Sequence, residues 1–223
     1  MGHELRTPLN AIIGYSDMLI EDSVAEEKKE LADDLYRINR AGHKLLAMIN
    51  EILDLSRMEA GEVEAIFRAT EVLPLTRQLE AQLPDAARES GNEFRLSVAE
   101  ELPRMHTDPE KLRKVLQNLL DNAFKFTSDG TVTLSVTHET GASGSWVAFA
   151  VEDTGIGMSE EQLEGIFESF TQTDARTTRQ HGGIGLGLSL AKEFCKLLGA
   201  ELTAKSVPDQ GSRFSVRVPA AGA

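Results

Sequence analysis

Residues 27–57, EKKELADDLYRINRAGHKLLAMINEILDLSR, place Leu31, Leu35, Ile38, Gly42, Leu45, Ile49 and Ile52 at alternating spacings of four and three. That is the heptad seam of a helix running along a neighbour. The neighbour lies just upstream. Residues 3–20 carry Leu5, Leu9, Ile12, Leu19 and Ile20 at helical spacing, with Ser16 in one seam position, before Glu21-Asp22-Ser23 breaks the pattern. Two helices joined by a short turn form a hairpin, but two helices alone bury little. Two hairpins pairing into a four-helix bundle solve that problem, so a homodimer is expected, the alternative being a monomeric hairpin docked on the rest of the chain.

Downstream the seam is lost in Met58–Glu64 (MEAGEVE), and Gly61 marks a boundary there. Alternation at Phe94, Leu96 and Val98 predicts a strand. Val132, Leu134, Val136 and then Val147, Phe149, Val151 predict a hairpin around Gly141–Gly144, and Phe214, Val216, Val218 a last strand. Helices are expected over about 72–82, 109–126, 159–168 and 187–198. Asp108-Pro109 supplies an N-cap followed by proline at the first helical position, and Gly199 a C-cap. This half reads as an α+β sandwich, helices on one face of a mixed sheet. The expected domains are residues 1–58 and 64–220.

The composition narrows the function. A net charge of −13 argues against nucleic-acid binding, which needs a basic face. Residues 1–60 alone carry 12 acidic against 7 basic side chains, so the excess is spread along the chain and serves solubility. The single cysteine, Cys195, precludes an internal disulfide and fits a reducing compartment. Its apolar neighbours Phe194, Leu197 and Leu198 point to buried packing. No stretch approaches the roughly 20 apolar residues that span a bilayer, and no signal peptide is visible, so no membrane contact is expected of this fragment. Met1-Gly2-His3 runs straight into a helical pattern, which reads as truncation of a longer parent. A cytoplasmic location is expected, whether or not that parent is membrane-anchored through a missing N-terminal segment.

Four constellations carry chemistry. His3 lies two residues off the seam at Leu5, about 200° around a helix, and so should face solvent. A neutral imidazole can attack a phosphoryl group near neutral pH, and adjacent Glu4 can take its proton. Thr7 and Asn10 share its face, and Pro8 predicts a kink. In residues 118–126, NLLDNAFKF, Asn118, Asn122 and Lys125 form one stripe beside the apolar stripe of Leu112, Val115, Leu116 and Leu119. Amide oxygens suit Mg²⁺, and Lys125 offers phosphates a point charge. Asp153-Thr154-Gly155-Ile156-Gly157 ends a predicted strand, where glycines let the backbone approach a flat ligand and a carboxylate can accept from an exocyclic amine. Finally, Ile166–Phe170 leads through a polar stretch to GGIGLGL at 182–188, whose glycines aim helix N–H groups at phosphates. Arg176 and Arg179 in that stretch are candidates for the terminal phosphate.

The string His3-Glu4-Leu5-Arg6-Thr7-Pro8-Leu9-Asn10 resembles the phosphoacceptor box of sensor histidine kinases, and the other boxes of that family follow in order. Residues 118–126 resemble its N-box, in which the asparagine matching Asn122 contacts the metal. Residues 151–158 look like its first glycine box, whose aspartate, here Asp153, recognises the adenine amine alongside Gly155 and Gly157. Phe170, Arg179 and the run Gly183, Gly185, Leu186, Gly187 resemble its phenylalanine box, ATP lid and second glycine box. Two departures stand out: Ile184 replaces the usual threonine and His181 a frequent tyrosine.

The resemblance implies a dimerisation and histidine-phosphotransfer hairpin followed by a GHKL-type ATP-binding domain. It implies Mg-ATP as phosphoryl donor, His3 as acceptor, Glu4 as base and a response-regulator receiver domain as partner. Thr7 matches the position that supports dephosphorylation of the regulator. A GHKL ATPase driving a conformational clamp lacks a reason for the His3 box. A degenerate binding scaffold lacks one for intact His3, Asn122 and Asp153.

Overall fold

The computed structural model describes residues 2–25, 28–81, 83, 91–141, 144–168 and 185–221, without the side chains of residues 2–5, 22, 25 and 30. It forms two compact units, Met1–Glu62 and Val63–Ala223.

The first unit is a hairpin of α1 (Gly2–Ala25) and α2 (Lys29–Glu59). Leu9, Ile13, Ser16, Ile20 and Ser23 are the buried stripe of α1, at spacings of four and three. The sequence reading put Ile12 and Leu19 in that stripe. They are instead 51% and 50% exposed, and Ile13 takes the inner position. Polar residues enter the seam because they bond to their own helix. Ser16 Oγ donates to the carbonyls of Ile12 and Ile13 at 2.8 and 2.9 Å, and Ser23 Oγ to that of Leu19 at 2.6 Å. Arg6 Nε donates to Asn50 Oδ1 and Asn39 Nδ2 to Asp17 Oδ1, both at 2.8 Å, tying the helices together.

The α2 heptads divide. Leu35 and Gly42 are buried in the hairpin, whereas Leu31, Ile38, Leu45 and Ile52, each seven residues apart, are 44–49% exposed. Regular spacing and partial exposure leave an apolar stripe that one chain does not cover. Beyond Glu59 the backbone turns at Gly61, with Glu62 N–H donating to Arg57 O at 2.9 Å and Gly61 N–H to Met58 O at 3.0 Å. That pairing is the C-terminal stop of a helix.

In the second unit β1 (Arg68–Thr70), α3 (Val72–Ala81), β2 (Glu93–Val98) and β3 (Met105–Thr107) precede α4 (Pro109–Phe126). Then come β4 (Thr131–Gly141), β5 (Gly144–Asp153), α5 (Glu160–Gly165), α6 (Gly187–Leu198), β6 (Glu201–Val207) and β7 (Gly211–Pro219). The main sheet has the order β2-β4-β5-β7-β6, with β2 parallel to β4 and the other pairs antiparallel. β1 and β3 make a separate antiparallel ribbon. The expected strands are present. β1, β3 and β6 come in addition.

The core lies between helices and sheet, built by Leu112, Val115, Leu116 and Leu119 of α4 with Val132, Leu134, Phe149, Val151, Val216 and Val218, each fully buried. α4 is the central helix, and its start is fixed by chemistry. Asp108 caps it, accepting from Glu110 N–H at 3.0 Å and Lys111 N–H at 3.2 Å, while Lys111 Nζ and Ile66 N–H reach its other oxygen at 2.8 and 3.0 Å. Burial opposes its charge, but the bonds from Lys111 and Ile66 win and hold the carboxyl below the usual range.

Candidate nucleotide-binding site

α4 connects the runs that the sequence singled out in the second unit. Asn118, Asn122 and Lys125 are half-buried on it. Asn118 Nδ2 donates to Gly187 O at 3.1 Å, tethering the first turn of α6 to the middle of α4. Asn122, one turn further, bonds to no described residue, so its amide is unengaged beside that tether. Lys125 Nζ lies 4.8 Å above the Phe126 ring, a cation–π contact that seats the charge at the helix end. The two asparagines of the stripe therefore differ: one ties protein to protein, the other is open to a ligand.

The end of α4 meets the Asp153–Gly157 run. Ile156 N–H donates to Phe126 O at 3.3 Å, and Asp209 N–H to Ile156 O at 2.8 Å. A Cβ at Gly155 would clash with Phe126 O, and one at Gly157, which has φ +61°, would clash with Val207 O. The sequence reading had these glycines admit a flat ligand. Their first requirement is the backbone of α4 and β6.

Asp153 itself is buried, and its partners are backbone donors: Gly155 N–H at 2.9 Å and the N–H of Ser212 opposite it on β7. Burial raises its carboxyl above the ordinary aspartate range, and the two N–H bonds only partly offset that. Among the described residues this buried acid has no cationic partner, and it sits where glycines bring three backbones together. Ser212 was missed by the sequence reading. Its signal is register, opposite Asp153, which a single strand cannot reveal.

At the other side Gly185, at φ +76°, leads into Leu186 and α6 with no side chain capping the helix start. An uncapped helix N-terminus beside an unengaged amide suits phosphates. Phe170, Arg176, Arg179, His181, Gly183 and Ile184 lie outside the described residues, as do the side chains of His3 and Glu4. The backbone of residues 3 and 4 is in α1, and Thr7 is exposed one turn further on the same helix.

A mixed sheet packed against a central helix, with an uncapped helix start at α6 and a buried acid at Asp153, here follows a helical hairpin. The chain belongs to the histidine kinase-, DNA gyrase B- and HSP90-like ATPase family, which matches residues 107–222, and residues 1–61 match the His kinase A phospho-acceptor domain. Together these are the catalytic core of a sensor histidine kinase.

The circadian input-output histidine kinase CikA of Synechococcus elongatus is 38% identical over 222 residues, 98% of this chain and 29% of CikA. The autoinducer 2 sensor kinase/phosphatase LuxQ of Vibrio vulnificus is 36% identical over 98% of this chain and 26% of LuxQ. The chain thus spans less than a third of either relative. The crystal structure of full-length ShkA in complex with AMPPNP superposes with a TM-score of 0.80 at 31% identity, covering 100% of this chain and 45% of ShkA. The Acinetobacter baumannii histidine kinase AdeS shares the fold, with a TM-score of 0.66 at 17% identity over 99% of this chain and 98% of its own. Among the described residues no helix is long and apolar enough to cross a membrane.

Proposed function

We propose that this core phosphorylates its own His3 from Mg-ATP and then relays the phosphoryl group to an aspartate of a response-regulator receiver domain. The observation that carries the reading is the double attachment of α4, through Asn118 to the start of α6 and through Phe126 to the Asp153 run. One rigid helix thereby sets a phosphate end and a base end in a single unit. Asp153 accepts from the adenine amine, and the backbone at Gly155 and Gly157 flanks it. Gly185, Leu186 and Gly187 offer N–H groups to the phosphates and Lys125 a charge, while Gly183, Arg179 and Phe170 are given their part in the second glycine box and lid by the resemblance alone.

Asn122 holds Mg²⁺. The fit rests on its unengaged amide oxygen, a hard donor of the kind this ion takes alongside water and phosphate. Bound there, the ion would neutralise phosphate charge. An imidazole nitrogen of His3 attacks the γ-phosphorus, the bond to the β,γ-bridging oxygen breaks, and the displaced imidazole proton passes to Glu4. Positioning and charge stabilisation supply the rate. Residues 1–58 form the dimerisation and phosphotransfer domain and residues 64–220 the catalytic domain, working in the cytoplasm, where ATP is made available. Calorimetric titration with ATP should give one nucleotide per chain, bound more tightly with Mg²⁺. No binding, or binding indifferent to Mg²⁺, would overturn the reading.

The uncovered stripe of Leu31, Ile38, Leu45 and Ile52 with Ile12 and Leu19 supports a dimer. Covering what remains exposed is worth roughly 1 kcal/mol per side chain. Leu45→Asp separates the alternatives, because at a site half-exposed in one chain a charge costs almost nothing unless a second chain buries it. We expect a dimer penalty of roughly several kcal/mol and monomers in sedimentation. A wild-type chain that sediments as a monomer at micromolar concentration would sink the four-helix arrangement.

Thr7 is exposed on α1, where its hydroxyl can hold a water against a phosphorylated aspartate. Thr7→Ala should spare autophosphorylation, which does not use the hydroxyl, and slow regulator dephosphorylation about tenfold or more. The check is decay of regulator phosphate with ADP present. Equal decay would remove Thr7 from the site, and parallel loss of autophosphorylation would reassign it to helix geometry.

A further inference from the structure

Thr127–Gly130 joins α4 to β4 and backs directly onto the nucleotide site. The turn holds Asp129 at φ +51°, an unusual conformation for a residue with a side chain. Its far side carries Thr131, whose N–H donates to Thr154 Oγ1 at 2.9 Å while Thr154 N–H donates to Thr131 O at 3.1 Å. Thr154 stands between Asp153 and Gly155. The near side is the end of α4, with Lys125 and the Phe126 carbonyl that receives Ile156 N–H.

Asn92, just before β2, reaches into this turn from outside every glycine or asparagine run. Its Nδ2 donates to Thr127 O at 2.8 Å and Phe124 O at 3.4 Å, and its Oδ1 accepts from Gly130 N–H at 3.0 Å. One half-buried amide therefore bonds both sides of the turn. Phe124 O is among the last carbonyls of α4, which have no partner within the helix, and Thr127 is the residue that ends it. A side-chain amide suits this arrangement because its two N–H donors and its acceptor oxygen sit on separate atoms of one planar group.

We propose that Asn92 is a positioning residue, clamping the turn so that the Asn122 end and the Asp153 end of the nucleotide site keep their spacing. The proposal rests on the nucleotide reading above. Releasing the clamp lets α4 shift against Thr131 and Thr154, and the cost falls on the hydrogen bond between Asp153 and the base. The base-dependent part of affinity should suffer most. Inosine triphosphate, with a carbonyl in place of the adenine amine, makes no such bond and reports the remainder.

The test compares dissociation constants for ATP and inosine triphosphate, with melting temperatures, in wild type, Asn92→Ala and Asn92→Asp. The alanine variant should bind ATP about tenfold more weakly and inosine triphosphate almost as before, so that the ATP preference collapses. Asn92→Asp keeps the acceptor for Gly130 but sets a carboxylate against two carbonyls, and should move the same way. A residue that only supports the fold lowers the melting temperature and weakens both nucleotides equally. An unchanged preference in either folded variant, or unfolding of both, overturns the proposal. A wild-type chain with no preference for ATP would overturn the adenine reading of Asp153 itself and this role with it.

Discussion

His3→Gln should abolish labelling from γ-labelled ATP, by at least about 100-fold, and leave ATP affinity within about twofold of wild type. The size of the effect follows from the chemistry. The phosphoryl group ends on an imidazole nitrogen, and an amide, whose nitrogen lone pair is delocalised, offers no comparable nucleophile. Glutamine is a better helix former than histidine, so α1 should survive. ATP binding belongs to the second unit, whose Asn122, Asp153 and α6 start are untouched. A labelled variant, with phosphate on another residue, would reassign the acceptor.

Asp153→Asn should produce the second large effect, on binding. The asparagine oxygen can still accept from Gly155 N–H, but the amide nitrogen would face the adenine amine, donor against donor. Loss of a hydrogen bond to a buried charged group costs about 1.5–3 kcal/mol, roughly 10- to 100-fold in affinity. Stability should lose its dependence on this group's ionisation. Burial raises the Asp153 carboxyl above its unfolded value, so the native state binds that proton more tightly. Its contribution to stability is complete below the unfolded value and is lost as pH rises through the folded one. Above its folded value the ionised group therefore weakens the fold. Asparagine, which never ionises, should flatten the dependence of the melting temperature on pH across the acid range. Calorimetry and thermal melts across pH 4–8 check both halves. A destabilised variant that still binds ATP normally would contradict the assignment.

The elements legible in the sequence had local signals strong enough to act alone. α4 announced itself through Asp108-Pro109 and a clean split between apolar and polar stripes, and it organises the second unit. β4 and β5 alternated plainly and are hydrogen-bonded along their whole length. β6 was silent because its inward residues, Leu202, Ala204 and Ser206, are half-buried and mostly small or polar. β1 and β3 have three residues each, too few for any period to register. In α1 the adjacent pair Ile12 and Ile13 left the register open, and serines bonded to their own helix occupied seam positions that apolar counting passes over. The residues of the proposed nucleotide site are singled out in the sequence by type alone. What tertiary structure added was the division of labour: Asn118 as a tether, Asn122 unengaged, Gly155 and Gly157 making room for backbone, and Asn92 holding the turn.

The measurement closest to the central claim is the chemical stability of the label. The wild-type chain, incubated with Mg²⁺ and γ-labelled ATP and then divided between acid and alkali, should lose its phosphate in acid and keep it in alkali, as a phosphoramidate on His3 must. Label that survives acid and is lost in alkali, or no label on a chain that binds Mg-ATP, would contradict histidine phosphorylation by this core.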